Sequence, residues 1–363
     1  MKIMKNKIYL IILLGYISGS CSNTDQFYDV DEYKKADKMD VHTHVWTDKN
    51  FLVDYASKNN FRLLTVMVDH EGIDALMKQF KYSVYQSKKN PELVKFATTF
   101  PMEGWDNSNW VTNTMDWINS SIDSGAVAVK VWKNIGMEFR DKDSNLVMID
   151  NPKFDPIFKM LAEKKIPLIG HLGEPKNCWL PLEEMTTNDD RYYFKNNPRY
   201  HMYLHKELPS YEDQIAARDR MLEKNPDLIF IGVHLGSMEW DVNEIAKRLD
   251  KFPNMAVDVA ARMGHLHYQT YKDREKVRNF FIKYQDRILY GTDRIDTGET
   301  SNKGASQQDF YDTWLSDWQY FVTDQKLKDQ MIDMEFIGLK LPRKVVDKIY
   351  IKNAKKWLSV FNY

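Results

Sequence analysis

From residue 38 onward, short apolar runs alternate with longer segments in which apolar positions recur every three or four residues. Eight runs read as strands: Met39–Thr43, Phe61–Val68, Val94–Phe100, Ala126–Trp132, Pro167–Gly170, Leu228–Val233, Met255–Ala260 and Ile288–Tyr290. Most are rich in Val, Ile and Leu and carry few charges, the signature of strands covered on both faces. Amphipathic stretches lie between them, such as Glu212 to Lys224 with Ile215, Met221 and Leu222 on one side. A last helix is expected after Leu341, with Pro342 in its first turn and Val346, Ile349, Tyr350, Trp357 and Leu358 at helical spacing. Strands alternating with helices build a parallel sheet, and eight such units predict an α/β fold, a single-domain (β/α)8 TIM barrel over residues 38–363. A doubly wound open sheet is the alternative. Two connections, Glu174–Tyr211 after the fifth strand and Arg294–Leu341 after the eighth, are too long for simple loops and are expected to shape a pocket.

The first residues follow another pattern. Lys2, Lys5 and Lys7 precede the apolar run Ile8–Leu14, and the small residues Ser18, Gly19 and Ser20 lead to Cys21. This is the layout of a secretory signal over residues 1–20. The apolar run is well short of the ~20 residues that a spanning helix needs. A cysteine directly after small residues resembles a bacterial lipoprotein lipobox, although Ser18 stands where leucine is commoner. An ordinary signal peptide is the alternative. The expectation is a protein of the bacterial cell envelope, lipidated on Cys21, touching the membrane through that lipid alone and tethered by residues 21–37. Cys178 is then left single and reads as a buried or idle thiol.

Composition narrows the field. Apolar residues make up 43% of the 363, enough for an ordinary core. With 51 basic and 52 acidic residues there is no basic field to grip nucleic acid. A small molecule is the expected partner, and assembly with further copies is left open. No Gly-rich phosphate loop, Gly-x-Ser-x-Gly elbow, His-Glu-x-x-His helix or Cys-x-x-Cys pair occurs.

Active sites of this fold sit at the carboxyl ends of the strands, so the residues there carry the chemistry. The first strand ends in Asp40-Val41-His42-Thr43-His44, and a two-residue period puts both imidazoles on one face. The fifth runs into His171, the sixth into His234, and the eighth into Gly291-Thr292-Asp293. Imidazole and carboxylate are the donors zinc prefers, so His42, His44, His171 and Asp293 read as ligands of a divalent ion. Lys130 on the fourth strand and Arg262 beyond the seventh are cations that could hold an anionic substrate group. His70 reads as rim polarity. His201, His205, His265 and His267 lie in loop-like sequence and read as solvated. The aromatic run Phe310, Tyr311, Trp314, Trp318, Tyr320 and Phe321 reads as a lid or core helix.

Taken together, His42-Thr43-His44, Gly170-His171-Leu172-Gly173, Gly232-Val233-His234-Leu235-Gly236 and Gly291-Thr292-Asp293 resemble the amidohydrolase superfamily. The nearer resemblance is to the branch that holds aminocarboxymuconate-semialdehyde decarboxylase and many uncharacterised metal-dependent hydrolases. It spans roughly residues 38–360. The resemblance implies one divalent ion, zinc or similar, on His42, His44, His171 and Asp293. Asp293 would also relay a proton, and His234 would face the substrate and polarise a carbonyl oxygen. In some superfamily members the strand-four lysine is carboxylated and bridges two metals, which is a further reading of Lys130. The implied activity is hydrolysis of an amide, ester or lactone-type bond. The alternative is non-oxidative decarboxylation of an unsaturated or aromatic carboxylic acid, and a non-catalytic barrel lipoprotein is a third reading.

Overall fold

The computed structural model describes residues 26–298 and 305–361, side chains of 305–308 excepted. The signal segment, Cys21 and the first tether residues lie outside the described residues. Nine strands form one sheet: β1 (Lys38–Val45), β2 (Phe61–Val66), β3 (Val94–Thr99), β4 (Ala126–Val131), β5 (Leu168–Gly170), β6 (Phe230–Gly232), β7 (Met255–Asp258), β8 (Ile288–Leu289) and β9 (Arg294–Asp296). Their order is β8-β7-β6-β5-β4-β3-β2-β1-β9, and every pairing is parallel. This is the curled sheet of a TIM barrel.

β9 is absent from the eight runs read in the sequence, because Arg-Ile-Asp is short and mostly polar. It continues β8 after a break at residues 290–293 and returns the chain to β1. Val41 N donates to Tyr290 O at 2.9 Å and Asp293 N to His42 O at 2.7 Å, so the last strand meets the first. The break puts Asp293 in the left-handed region, φ 65°.

Inward-facing Met39, Val41, Leu64, Val66, Ala97, Ala128, Ile169, Ile231, Ala256 and Leu289 fill the barrel. The chain end packs onto them: Pro342 caps a helical segment that runs to Leu358, and Ile351, Ala354, Trp357 and Leu358 join the same cluster. Asn353 Nδ2 donates to Ile288 O at 2.7 Å, fixing this plug at the start of β8. The long connection after β9 is core, not loop: Phe310, Trp314, Trp318, Tyr320 and Phe321 are buried on one helix, Ala305–Val322. Trp314 stacks on Phe61 with ring centroids 4.2 Å apart.

Residues 26–37 correct the tether reading. Tyr33 is buried beside Phe61 and Trp318, Tyr28 Oη donates to Asp347 at 2.6 Å, and Arg343 N donates to Gln26 O at 2.9 Å. Three aromatic or tyrosyl contacts outweigh the local polarity that suggested a free segment. Among the described residues no helix is long and apolar enough to cross a membrane.

Candidate metal centre

β1 shifts register between Asp40 and Thr43. The shift breaks the alternation after Val41, so His42 and His44 face the interior as Met39 and Val41 do. Their ring centroids are 5.5 Å apart. Asp40 secures the turn from behind: it accepts from His42 N at 3.1 Å, Thr292 N at 3.1 Å, Thr292 Oγ1 at 2.7 Å and Trp314 Nε1 at 2.9 Å. That one buried carboxylate ties the end of β1 to the residue before Asp293.

The ring nitrogens have fixed partners. His42 Nδ1 donates to Asp258 Oδ2 at 3.0 Å, His44 Nδ1 to Val66 O at 2.7 Å and His234 Nδ1 to Ala260 O at 2.8 Å. These partners only accept, so in each neutral ring the proton sits on Nδ1 and Nε2 is a bare lone pair. His42 Nε2 lies 3.2 Å and His44 Nε2 3.0 Å from the same atom, Asp293 Oδ1. Three electron-rich atoms thus converge, an arrangement that calls for a proton or a cation among them; Lys130 Nζ stands 3.3 Å from His42 Nε2, and a divalent ion would serve all three atoms. The donor atoms of His42, His44 and Asp293 all lie within 4.8 Å of one another. His171 and His234 extend the set: each is buried, each Nε2 lacks a hydrogen-bond partner among the described residues, and their ring centroids are 4.3 Å apart. The residues present therefore fit a divalent metal.

The charge states agree. Burial, reinforced by Lys130, lowers the pKa of His42; burial with Lys133 and Lys130 lowers that of His171 much further. Burial and His171 do the same for His234. Burial raises Asp293, while positive charge or a donated proton on His42, His234 and His44 holds it well below the ordinary carboxylate range, as a cation bound among them would. Neutral imidazoles and an ionised carboxylate are the ligand forms a cation takes.

A pH consequence follows. A base whose folded pKa is depressed takes up its proton more readily when unfolded, so its stabilising contribution is present above the unfolded value, 6.5 for histidine, and lost as pH falls. The metal-free protein is expected to lose melting temperature steadily from pH 7.5 to 5. A flat profile by calorimetry would show these rings to be solvated.

A family model described as amidohydrolase matches residues 39–360. The chain belongs to the amidohydrolase family. Members are metal-dependent enzymes that typically bind a divalent ion, so this amidohydrolase is an enzyme. No curated protein matches it. Among solved structures it is similar to 2,6-dihydroxybenzoate decarboxylase in complex with 2,6-dihydroxybenzoate, with TM-score 0.52 and 14% identity over 90% of this chain and 100% of the other. The same enzyme from Rhizobium gives TM-score 0.52 and 14% identity over 89% and 99%. The 4-oxalomesaconate hydratase of Rhodopseudomonas palustris gives 0.46 and 11% over 89% and 95%. At 14% identity the likeness to the two decarboxylase structures speaks for the fold alone.

The remaining positions of the amidohydrolase divide clearly. Lys130 is buried with Nζ 3.3 Å from His42 Nε2, and burial, opposed by Asp258 and Asp293, pushes its pKa down to about 8. Arg262 is buried: one terminal nitrogen donates to Ala261 O, another lies 3.9 Å from Glu174, and Nε lacks a partner among the described residues. His171 stands 3.6 Å from Glu174 and outside the tight group of His42, His44 and Asp293. His70 is half-exposed beside Trp132.

Three of the four histidines expected in solvent are buried. His201 donates to Leu180 O at 2.8 Å, His265 pairs with Asp190 at 3.0 Å, and His267 stacks on Phe336 at 4.2 Å beside Asp329. His265 and His267 sit on the helix Met263–Lys272, which follows β7. His205 is half-buried and bonds Pro198 O. Cys178 is a buried free thiol donating to Tyr200 O, and burial pushes its pKa up. Sequence reading gave no role to Asp40, Asp258, Lys133 or Glu174. Asp258 alone had a readable signal, since it closes a strand at the mouth end.

Proposed function

We propose that this amidohydrolase hydrolyses an amide, ester or lactone-type bond of a small anionic molecule. The convergence of His42 Nε2 and His44 Nε2 on Asp293 Oδ1 carries the reading. His42, His44 and Asp293 would hold one divalent ion, zinc by the nature of the donors, with His171 completing the set. When bound, such an ion polarises a carbonyl oxygen and lowers the pKa of a water in its reach.

The protein's own groups supply the rest. Asp293 Oδ2 and His234 Nε2 lie 3.9 Å apart, two acceptors able to hold one attacking water between them. Asp293, ionised, takes the water's proton and returns it to the leaving group. His234 works as an acceptor here: Nδ1 is committed to Ala260 O and its surroundings oppose protonation, so polarising the carbonyl falls to other cations. Lys130, with Nζ 3.3 Å from His42 Nε2, adds a cation beside the site that could hold an anionic substrate group. Arg262, buried with a free Nε, is placed to anchor a substrate carboxylate.

The unpartnered Nε of Arg262 also favours a second reading, decarboxylation of an unsaturated or aromatic acid, in which Arg262 would grip the carboxyl group itself. Elemental analysis of protein purified without chelator is expected to find about one zinc per chain, lost in His42→Ala. Turnover of a panel of lactones, esters, amides and unsaturated or aromatic acids in oxygen-18 water then separates the readings: hydrolysis labels the product acid, whereas decarboxylation releases carbon dioxide and leaves the organic product unlabelled. Metal in neither protein would sink both. The proposal includes a lipid anchor on Cys21 in the bacterial envelope, supported by Ser18-Gly19-Ser20-Cys21 after an apolar run. Labelled palmitate should enter the native chain and not Cys21→Ser.

A further inference from the structure

β7 ends on Asp258, whose two oxygens serve two different elements. Oδ1 accepts from His234 N at 2.7 Å and from Ala260 N at 3.2 Å. Oδ2 accepts from His42 Nδ1 at 3.0 Å. The residue is fully enclosed, with 1% of its surface exposed.

The segment it holds on the β6 side has an uncommon shape. His234, Leu235, Gly236 and Ser237 run consecutively at φ 58°, 58°, 64° and 55°. Only glycine adopts this left-handed region without penalty, so the turn persists because its surroundings compel it. Asp258 grips its first amide; Arg218 donates to Gly236 O at 2.5 Å, and Ser237 Oγ donates to Gly173 O at 2.8 Å. The turn aims His234 at Asp293.

We infer that Asp258 is a positioning residue that sets the whole front of the centre: it fixes the Nδ1–H tautomer of His42, so that Nε2 is offered as a ligand, and it anchors the turn that presents His234. The second half stands on geometry alone, and the first rests on the metal reading proposed above. The donor atoms of His42, His234 and Asp258 also lie within 4.8 Å of one another, so a ligand role for Asp258 in a second ion is the competing account. Against it, both of its oxygens are already taken by N–H groups.

Asp258→Asn separates these. Its oxygen can still accept from His234 N and Ala260 N, but its NH2 then donates to His42 Nδ1, which must give up the proton to Nε2. Nitrogen-15 imidazole spectra of the metal-free full-length chain, with His42 assigned through His42→Gln, read the tautomer directly. Zinc affinity follows from competition with a chelating dye. We expect Nδ1–H in the native protein, Nε2–H in the variant, and zinc binding weakened about 10- to 100-fold. An Nε2–H ring in the native chain, or a variant with unchanged tautomer and affinity, overturns the assignment. Two zinc ions per native chain falling to one in the variant overturns it in favour of the ligand role. Should Asp258→Asn fail to fold, the native spectrum still decides. A native chain with Nδ1–H at His42 that takes up no zinc supports the tautomer assignment and removes the metal reading instead.

Discussion

Asp293→Asn is expected to lower kcat/KM by about a thousandfold while leaving the metal-free fold at least as stable as the native one. The two halves have the same cause. In the native chain Asp293 Oδ1 stands 3.2 and 3.0 Å from His42 Nε2 and His44 Nε2, a repulsive arrangement unless a proton or a cation lies between them. An asparagine can turn its NH2 toward those nitrogens and donate to them, which relieves the repulsion and competes with the cation. Asparagine also tolerates the left-handed backbone that this position requires, φ 65°. Asp293→Ala removes the carboxylate as well but adds backbone strain, so it should lose activity and stability together. The checks are steady-state kinetics, zinc content and thermal melting of chelated protein. A loss under about tenfold with metal retained would mean that Asp293 neither holds the ion nor moves the proton.

The fold and the front of the site were largely legible because both depend on local pattern. Buried parallel strands appear as apolar runs, and a histidine pair at i and i+2 on a strand is visible as His42-Thr43-His44. What stayed hidden depends on tertiary register. β9 is three mostly polar residues that are strand only because β1 offers them an edge. His265 and His267 look like loop residues until Asp190 and Asp329, from the two long connections, are laid beside them. The side of the His234 ring that carries the proton could not be foreseen either, since it is decided by Ala260 O, brought across from the end of β7. Asp40 acts through Thr292 and Trp314, more than 250 residues away along the chain.

The same reasoning gives the largest stability effect expected near the site. Glu174 opens the long connection after β5 and is almost fully enclosed, yet it faces three partners: Lys133 Nζ on Oε1, Arg262 at 3.9 Å and His171 at 3.6 Å on Oε2. Burial would push the Lys133 ammonium toward neutrality, but Glu174 holds its pKa above the ordinary lysine value, with Tyr193 assisting. The faces of Tyr200, at 4.6 Å, and Tyr193 cover that ammonium from the loop side. Removing the carboxylate leaves the buried Lys133 ammonium without its anion, while Arg262 keeps the pull of Asp190 and Glu239, and breaking such a buried pair typically costs about 3–5 kcal/mol. Glu174→Ala should therefore destabilise by about that much in urea unfolding. Lys133→Met should cost less, because Glu174 keeps Arg262 beside it. The Lys133→Met/Glu174→Leu double variant should recover part of the loss, since both charges of the pair have been replaced by apolar volume and Arg262 keeps Asp190 and Glu239. A Glu174→Ala penalty under about 1 kcal/mol would place the pair in solvent rather than in the enclosed mouth. Strict additivity in the double variant would show that Lys133 and Glu174 are not coupled, and the connection after β5 would then be held over the site by its apolar packing around Cys178, Met185 and Phe194 alone.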